Sequence, residues 1–239
     1  MTKIPLYLGL ERACGYLPGQ QARTVYVGQE TNMSESMYSA LAEQGFRRSG
    51  ELVYRPYCRN CSACVPVRVR VKGFVPNRVQ ARVWKKNADL TVHIKTAAFE
   101  EEHYRLFCRY VRARHGDGGM ASPSRHGYIE FLRSGWAQTW FVEFRLGAGL
   151  LAVAVVDRLK DGLSAVYTFF EPDSADRSLG VYAVLWQIEE ARRLDLDWLY
   201  LGFWIEMCRK MAYKSQYRPL EVLTPGGWRT YEKGEKICS

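Results

Sequence analysis

No stretch of this chain approaches the roughly 18 uninterrupted apolar residues that a helical membrane span requires. Its opening, MTKIPLYLGLERACGY, holds neither a long apolar core nor a small-residue cleavage site. These absences predict a cytoplasmic protein with no membrane partner. Histidine is scarce, and the spacing of His93, His103, His115 and His126 suggests no pairing of the kind a metal site needs. There is no internal repeat, no low-complexity tract, and no Ser-His-Asp grouping that would point to a nucleophilic triad. Cysteine is present in an odd number, seven, with three crowded at Cys58, Cys61 and Cys64. Such crowding suits reduced thiols better than a secreted disulfide framework.

What the chain does have is apolar material and a lopsided charge. At 239 residues and 47% hydrophobic content it can bury a core for one large domain or two intimately packed ones. Residues 1–95 carry 15 Lys and Arg against six Asp and Glu, whereas residues 96–239 carry 19 of each. The whole net charge of +9 therefore lies in the first part. We divide the chain there, into a basic N-terminal domain (1–95) and a C-terminal catalytic domain (96–239). An unbalanced basic block suits a polyanion partner, because phosphate contacts release counterions whatever bases are attached. A merely solvated basic face fits the charge equally well.

Residues 31–45 read as a short helix, with Thr31, Asn32 or Ser34 as cap and Gly45 as stop. ELVYRPY and VPVRVRV read as strands. In the second, Val67, Val69 and Val71 alternate with Arg68 and Arg70, so one face is apolar and the other presents cations. The basic run NRVQARVWKKN follows, then the alternating LTVHIK. Residues 99–115 form the clearest helix, with Glu in the first turn and Arg and His in the last, both favourable to the helix dipole. A Gly-, Ser- and Pro-containing loop leads to a short helix at YIEFLRSG. Three strands joined by GAG and KDG, a helix from about 179 to 194, and the strand DWLYLGF complete an α+β pattern: a mixed, mostly antiparallel sheet flanked by helices.

Strand, loop, helix, strand over 163–203 is the order found at the core of GNAT-type acyltransferases, so a GNAT-like fold is expected. Those enzymes seat a pyrophosphate on a helix N-terminus through a Gly-containing turn. The matching stretch here is Arg177, Ser178, Leu179, Gly180, Val181 and Tyr182. The bulky Tyr182 replaces the small residue that admits phosphate, which argues against acetyl-CoA, and an ordinary strand-to-helix turn explains the stretch as well. Longer strings are more specific. VYTFFEPDSADRSLGVYAVLWQIE and YLGFWIEMCRKMAYKSQYRPLEVL resemble the C-terminal region of the arginyl-tRNA-protein transferase family, and CGYLPGQ and FRRSGELVYRPYCRNCSACVPVRV resemble its N-terminal region. The compact length and the CRNCSACVPVRV form look most like the family's bacterial leucyl-transferring branch. The resemblance implies a leucyl-tRNA donor, acceptors beginning with Asp or Glu, a GNAT-like catalytic fold and a role in N-degron proteolysis.

In that reaction a neutral α-amine attacks an ester that is already activated, so positioning and oxyanion stabilisation matter more than a covalent nucleophile. No cofactor is required. The catalytic candidates are Tyr167, Glu171 and, across the splay of the two strands, Tyr200, followed by Lys210, Lys214, Gln216 and Tyr217. Glu171 is our choice of proton acceptor. Tyr167 and Tyr200 also read as core aromatics, and Lys210 and Lys214, spaced i and i+4, as a solvated helix face. Arg47, Arg48, Arg55, Arg59, Arg68 and Arg70 are candidates for binding substrate, since a planar fork suits a carboxylate. Of these, Arg48 and Arg55 are chosen for the acid pocket. Ser178 and Gly180 are further substrate candidates, and Arg78, Arg82, Lys85 and Lys86 are assigned to tRNA. Cys58, Cys61 and Cys64 have spacing suitable for zinc or an iron-sulfur cluster, with Cys14 as the candidate fourth ligand. Cluster-binding relatives carry Cys-Gly-Tyr-Cys where this chain has Cys14-Gly15-Tyr16-Leu17, so one ligand of that pair is missing. Buried or redox-sensitive thiols are the alternative, and Cys108, Cys208 and Cys238 read as structural. Competing functions are an arginyl-transferring enzyme of the same family, an acetyl-CoA-dependent N-acetyltransferase, and a non-catalytic RNA-binding module.

Overall fold

The fold is taken from a computed structural model that describes residues 3–115, the side chain of His115 excepted, and 124–237. The loop expected between His115 and the YIEFLRSG helix falls largely outside the described residues, as does Cys238. In chain order the elements are β1 (Leu6–Leu8), β2 (Arg12–Ala13), β3 (Gln21–Ala22), β4 (Thr24–Val27), α1 (Glu35–Glu43), β5 (Arg47–Ser49), β6 (Leu52–Pro56), β7 (Val65–Arg70), α2 (Arg78–Lys86) and β8 (Thr91–Thr96). They continue with α3 (Glu101–His115), α4 (Arg125–Leu132), β9 (Thr139–Leu146), β10 (Gly149–Arg158), β11 (Gly162–Phe170), α5 (Leu179–Arg193), β12 (Trp198–Trp204), α6 (Arg209–Ala212), β13 (Leu220–Thr224) and β14 (Gly227–Tyr231).

Local chemistry explains most of these bounds. Ser34 caps α1 by accepting from the Met37 N–H, and Gly45, at φ 80°, turns the chain out of it. The basic run 77–87 is a helix that charge alone did not reveal. Asn77 accepts from the Gln80 N–H while the Gln80 side chain accepts from the Asn77 N–H, a reciprocal cap legible in the spacing Asn-x-x-Gln. The hairpin β13–β14 was also missed in the sequence, although Pro225-Gly226 between two apolar runs is its turn signal.

Eight strands form one sheet in the order β14-β13-β7-β12-β11-β10-β9-β8, and β1, β4, β6 and β5 form a second, smaller one. The fold is thus mixed α and β with a large, mostly antiparallel sheet. Alternation along β9 and β10 divides the core. Val142, Phe144, Ala152, Ala154 and Val156 pack towards α5, while Phe141, Val153 and Val155 pack towards α3 and α4. A third apolar cluster, around Tyr38, Leu41, Phe46 and Val53, seals the small sheet and α1 onto the body. The strand β7, from the basic first part of the chain, lies between β12 and β13 in the large sheet.

Candidate active site

Among the described residues the one parallel pairing in the large sheet, β11 with β12, is short: Gly162, Leu163 and Ser164 face Trp198, Leu199 and Tyr200. Beyond that the strands part. β12 shifts register against β7 between Tyr200 and Gly202, with Gly202 at φ 73°. Into the wedge comes Arg47 from β5. Its Nη2 donates to the carbonyls of Ala165 (3.0 Å) and Val166 (3.1 Å) on β11. Its guanidinium lies so close to Gly202 that a Cβ there would meet Nη1 at 2.4 Å and Cζ at 2.5 Å, so this glycine is needed for close approach as well as for its φ. Lys214 is tied to the second strand. It sits in the short 3-10 turn Tyr213–Gln216 and its buried Nζ donates to the Phe203 carbonyl of β12 at 2.5 Å. Burial, reinforced by the charge of Arg47, holds this amine well below the usual lysine range.

The remaining catalytic candidates scatter. Tyr200 is not across the open splay: it sits in the last parallel pair, buried, its hydroxyl accepting from Arg68 Nη1 (3.0 Å) and donating to Asp161 (3.2 Å). Tyr217 lies in the core stacked on Phe74, and Tyr167 packs among Phe107, Tyr110, Phe131 and Phe169. Burial raises all three phenols above their usual range, so they serve as uncharged groups. Lys210 and Gln216 are exposed on the surface, so the i, i+4 lysine pair divides: Lys210 points out and Lys214 in. Glu171 ends β11 where expected, gripped by Arg109 through Nη2 (2.7 Å) and Nε (3.0 Å) to Oε2.

The arginines separate as sharply. Arg48, chosen for the acid pocket, is buried in a forked ion pair with Asp157, Nε and Nη2 each 2.6 Å from an oxygen, and Nη2 also reaches Leu132 O and Thr139 Oγ1. Asp157 thus occupies the edge formed by Nε and Nη2, while Nη1 is buried with no hydrogen-bond partner among the described residues. Arg68 was expected on a cationic strand face, yet it is sandwiched between Trp198 (3.8 Å) and Trp228 (4.2 Å) and paired with Glu221 at 2.8 Å. The outer hairpin covers that face, which strand periodicity cannot foresee. Arg55 reaches Gln44 O and lies over Phe46, Arg59 pairs with Glu11 at the surface, and Arg70 is exposed.

Ser178 and Gly180 open α5, Ser178 with φ 52° and no side-chain cap, and Gly180 beneath Phe170. The turn before them is clamped by the end of α2. Lys86 pairs with Asp176 (2.8 Å), Asn87 donates to Arg177 O, and Arg177 is forked to Asp89 at 2.9 Å. Tyr182 is buried against Trp84 and Phe144. The arginine that would meet a coenzyme pyrophosphate is therefore committed to a carboxylate. Arg78, Arg82 and Lys85 remain exposed on α2.

The cysteines Cys14, Cys58, Cys61 and Cys64 are free thiols gathered near one another. Cys14 Sγ accepts from the Tyr16 and Leu17 N–H groups. The Cys64 thiol is pushed up to about 12, mainly by burial and then by its neighbouring thiols, so it stays protonated unless a cation draws it in. Among the described residues, the one group of three potential ligands close enough to share a metal is Glu100, His103 and Glu143, whose ligand atoms lie within 4.8 Å of one another. That acid-histidine group corrects the reading of the histidines as unpaired: His103 Nε2 lies 2.6 Å from Glu143. Lys95 already occupies the place a cation would take, bonded to Glu100 (3.0 Å) and Glu143 (2.8 Å), and Arg145 adds a second positive partner.

Comparison with known proteins agrees from end to end. Residues 12–82 and 102–224 match the family models described as arginine-tRNA-protein transferase, N terminus and C terminus. An aspartate/glutamate leucyltransferase of Alcanivorax borkumensis is 53% identical over 216 residues, 90% of this chain and 89% of the relative. One of Pseudomonas putida is 50% identical over 230 residues, 96% and 98% of the two chains. Among solved structures, that of L-PGS from Bacillus licheniformis shows a TM-score of 0.46 at 9% identity, over 70% of this chain and 49% of that one.

Proposed function

The chain belongs to the arginine-tRNA-protein transferase family, and on that premise we propose that it moves leucine from leucyl-tRNA onto proteins beginning with Asp or Glu, marking them for N-degron proteolysis. One observation carries the choice of leucine: identity of 50% or more over nine-tenths or more of the chain to relatives named aspartate/glutamate leucyltransferase. The acetyl-CoA alternative is opposed by the ion pair of Arg177 with Asp89 and by buried Tyr182 at the start of α5.

The reaction needs two substrates held together and one proton removed. The acceptor's α-amine, whose unperturbed pKa is roughly 7.7 to 8.0, attacks the leucyl carbonyl, the ribose oxygen departs, and the amine's proton must leave. The short parallel pairing followed by divergence of β11 and β12 supports a GNAT-like arrangement in which both substrates meet at the wedge. Glu171 stands at the rim, its Oε2 held by Arg109 and its Oε1 less engaged, which suits it as proton acceptor. The exposed cations of α2 form the tRNA-facing surface of the basic domain 1–95, beside residues 96–239, which carry out the transfer. No step requires a cofactor. Should zinc or an iron-sulfur cluster be present, Cys58, Cys61 and Cys64 with Cys14 would hold it, after drawing together.

The test mixes purified protein with leucyl-tRNA or arginyl-tRNA and peptides beginning with Asp, Glu or Asn. A mass gain of one leucyl residue on the Asp and Glu peptides is expected. Gain only from arginyl-tRNA, or none without acetyl-CoA, would replace the reading.

A further inference from the structure

Three nearly buried arginines elsewhere in this protein hold a carboxylate, whereas the partly buried Arg23 and Arg218 bond main-chain carbonyls. Arg48 has Asp157, Arg68 has Glu221, and Arg145 has Glu143. The two in the wedge do not: among the described residues, neither Arg47 nor Lys214 lies within ion-pair distance of an acidic group. Each is held by main-chain carbonyls, Arg47 by Ala165 and Val166 of β11 while packing on Gly202 of β12, Lys214 by Phe203 of β12, so both groups are tied to the parting strands. Arg47 uses only Nη2 for this. Its Nε and Nη1 make no hydrogen bond among the described residues, and the half-buried guanidinium keeps an accessible edge. Tyr16 and Tyr213, 41% and 39% exposed, both feel the Arg47 charge and so stand near it between wedge and surface.

A buried cation without a counter-charge is costly, and the cost is relieved when an anion arrives. The established chemistry of an acidic-acceptor enzyme needs a site for one more carboxylate, beside the amine that reacts. On the reading of an acidic acceptor given above, we propose that the side chain of the acceptor's N-terminal Asp or Glu is bound in this wedge, by the free edge of Arg47 and by Lys214. Arg48 is fully buried in its pair with Asp157, away from the wedge, and Arg55, Arg59 and Arg70 lie outside it. Burial and the Arg47 charge lower the Lys214 amine, opposed by the nearby Cys208 and Cys64 thiols; a bound carboxylate favours the charged amine, so proton uptake is expected as the acid binds. An amide of the same shape, Asn or Gln, brings no charge and draws no proton.

Binding is measured on the full chain without tRNA, so that it does not depend on the donor. Fluorescent peptides beginning with Asp, Glu, Asn or Gln are titrated by anisotropy, and binding heats are compared in buffers of different ionisation enthalpy. The wild type is expected to bind the acids roughly tenfold or more tighter than the amides, with net proton uptake. Arg47→Gln and Lys214→Met should bind all four alike, and Lys214→Met should lose the proton uptake. Unaltered preference in both folded variants, or none in the wild type, overturns the proposal. If Lys214→Met does not fold, Arg47→Gln alone decides it. Acid preference that depends on Arg47, in a protein that transfers no leucine, would sink the leucyl reading and leave the pocket standing.

Discussion

Arg48 and Arg47 are adjacent in the sequence, and nothing in the string FRRSG distinguishes them. They point to opposite sides of β5, and that alternation sends one into the body of the protein and the other into the wedge. Arg48→Met leaves Asp157 buried without its partner, with Thr139 Oγ1 its one remaining donor. The expected loss is about 3–5 kcal/mol, read as a lower midpoint in denaturant melts. Arg48→Met combined with Asp157→Leu should lose clearly less, because no lone charge remains. At permissive temperature the folded single variant should keep the ratio of Asp to Asn transfer. Glu171→Gln keeps the shape of a side chain held by Arg109, so a tenfold or greater fall in transfer with unchanged melting would mark it as the proton acceptor, and unchanged transfer would end that role.

The element with most to test is α2. Its amphipathic pattern puts Val83 in the core and leaves Arg78, Arg82 and Lys85 outside. Lys86, assigned to the same surface, is tied to Asp176 and helps clamp the turn before α5. Arg82→Glu with Lys85→Glu should therefore weaken binding of charged and uncharged tRNA alike without loosening that clamp. The log–log slope against salt should become shallower by about 1 for each phosphate that the variant no longer neutralises. Equal affinity in a folded double variant removes this helix from the interface. The helix itself was legible in Asn77-x-x-Gln80, but its position over α5 was not, because that depends on Val83 and Trp84 finding partners about a hundred residues away.

For the molecule as a whole, acid sensitivity follows from the network joining α3, β8 and β9. Burial alone would raise the Glu143 carboxyl, but hydrogen bonds from Arg145, Lys95 and His103 outweigh it and hold it at about 2. A carboxyl depressed in the folded state stabilises above its unfolded value, roughly 4.3, and that contribution disappears as pH falls towards 2. Thermal melts should therefore lose stability between about pH 5 and pH 2, and Glu143→Gln should start lower and flatten this limb. An unchanged acid limb in the variant would assign it to other groups. The thiols call for a separate measurement. Elemental analysis of anaerobically purified protein is expected to show that transfer continues in samples free of zinc and iron, since the proposed attack of an amine on an activated ester calls on no metal. Activity that tracks bound metal would show that Cys14, Cys58, Cys61 and Cys64 close around one.

Family, the α+β class and most elements were legible from residues alone, because each rests on something local or linear. Alternation marked Val67, Val69 and Val71 as a buried strand face, the acidic and basic ends marked α3, and ordered strings carried the resemblance to the transferases. Local patterns also placed Glu171 at the end of β11. Pairing across distance was not legible. Whether an arginine holds Asp157, lies between two tryptophans or faces an open wedge depends on which strands become neighbours, and β7 enters the sheet between strands that begin some 130 and 150 residues later. Sequence supplied the chemical groups near the reaction; packing decided which of them are already paired and which remain free for a substrate, since a charge is available only where the fold provides it no partner.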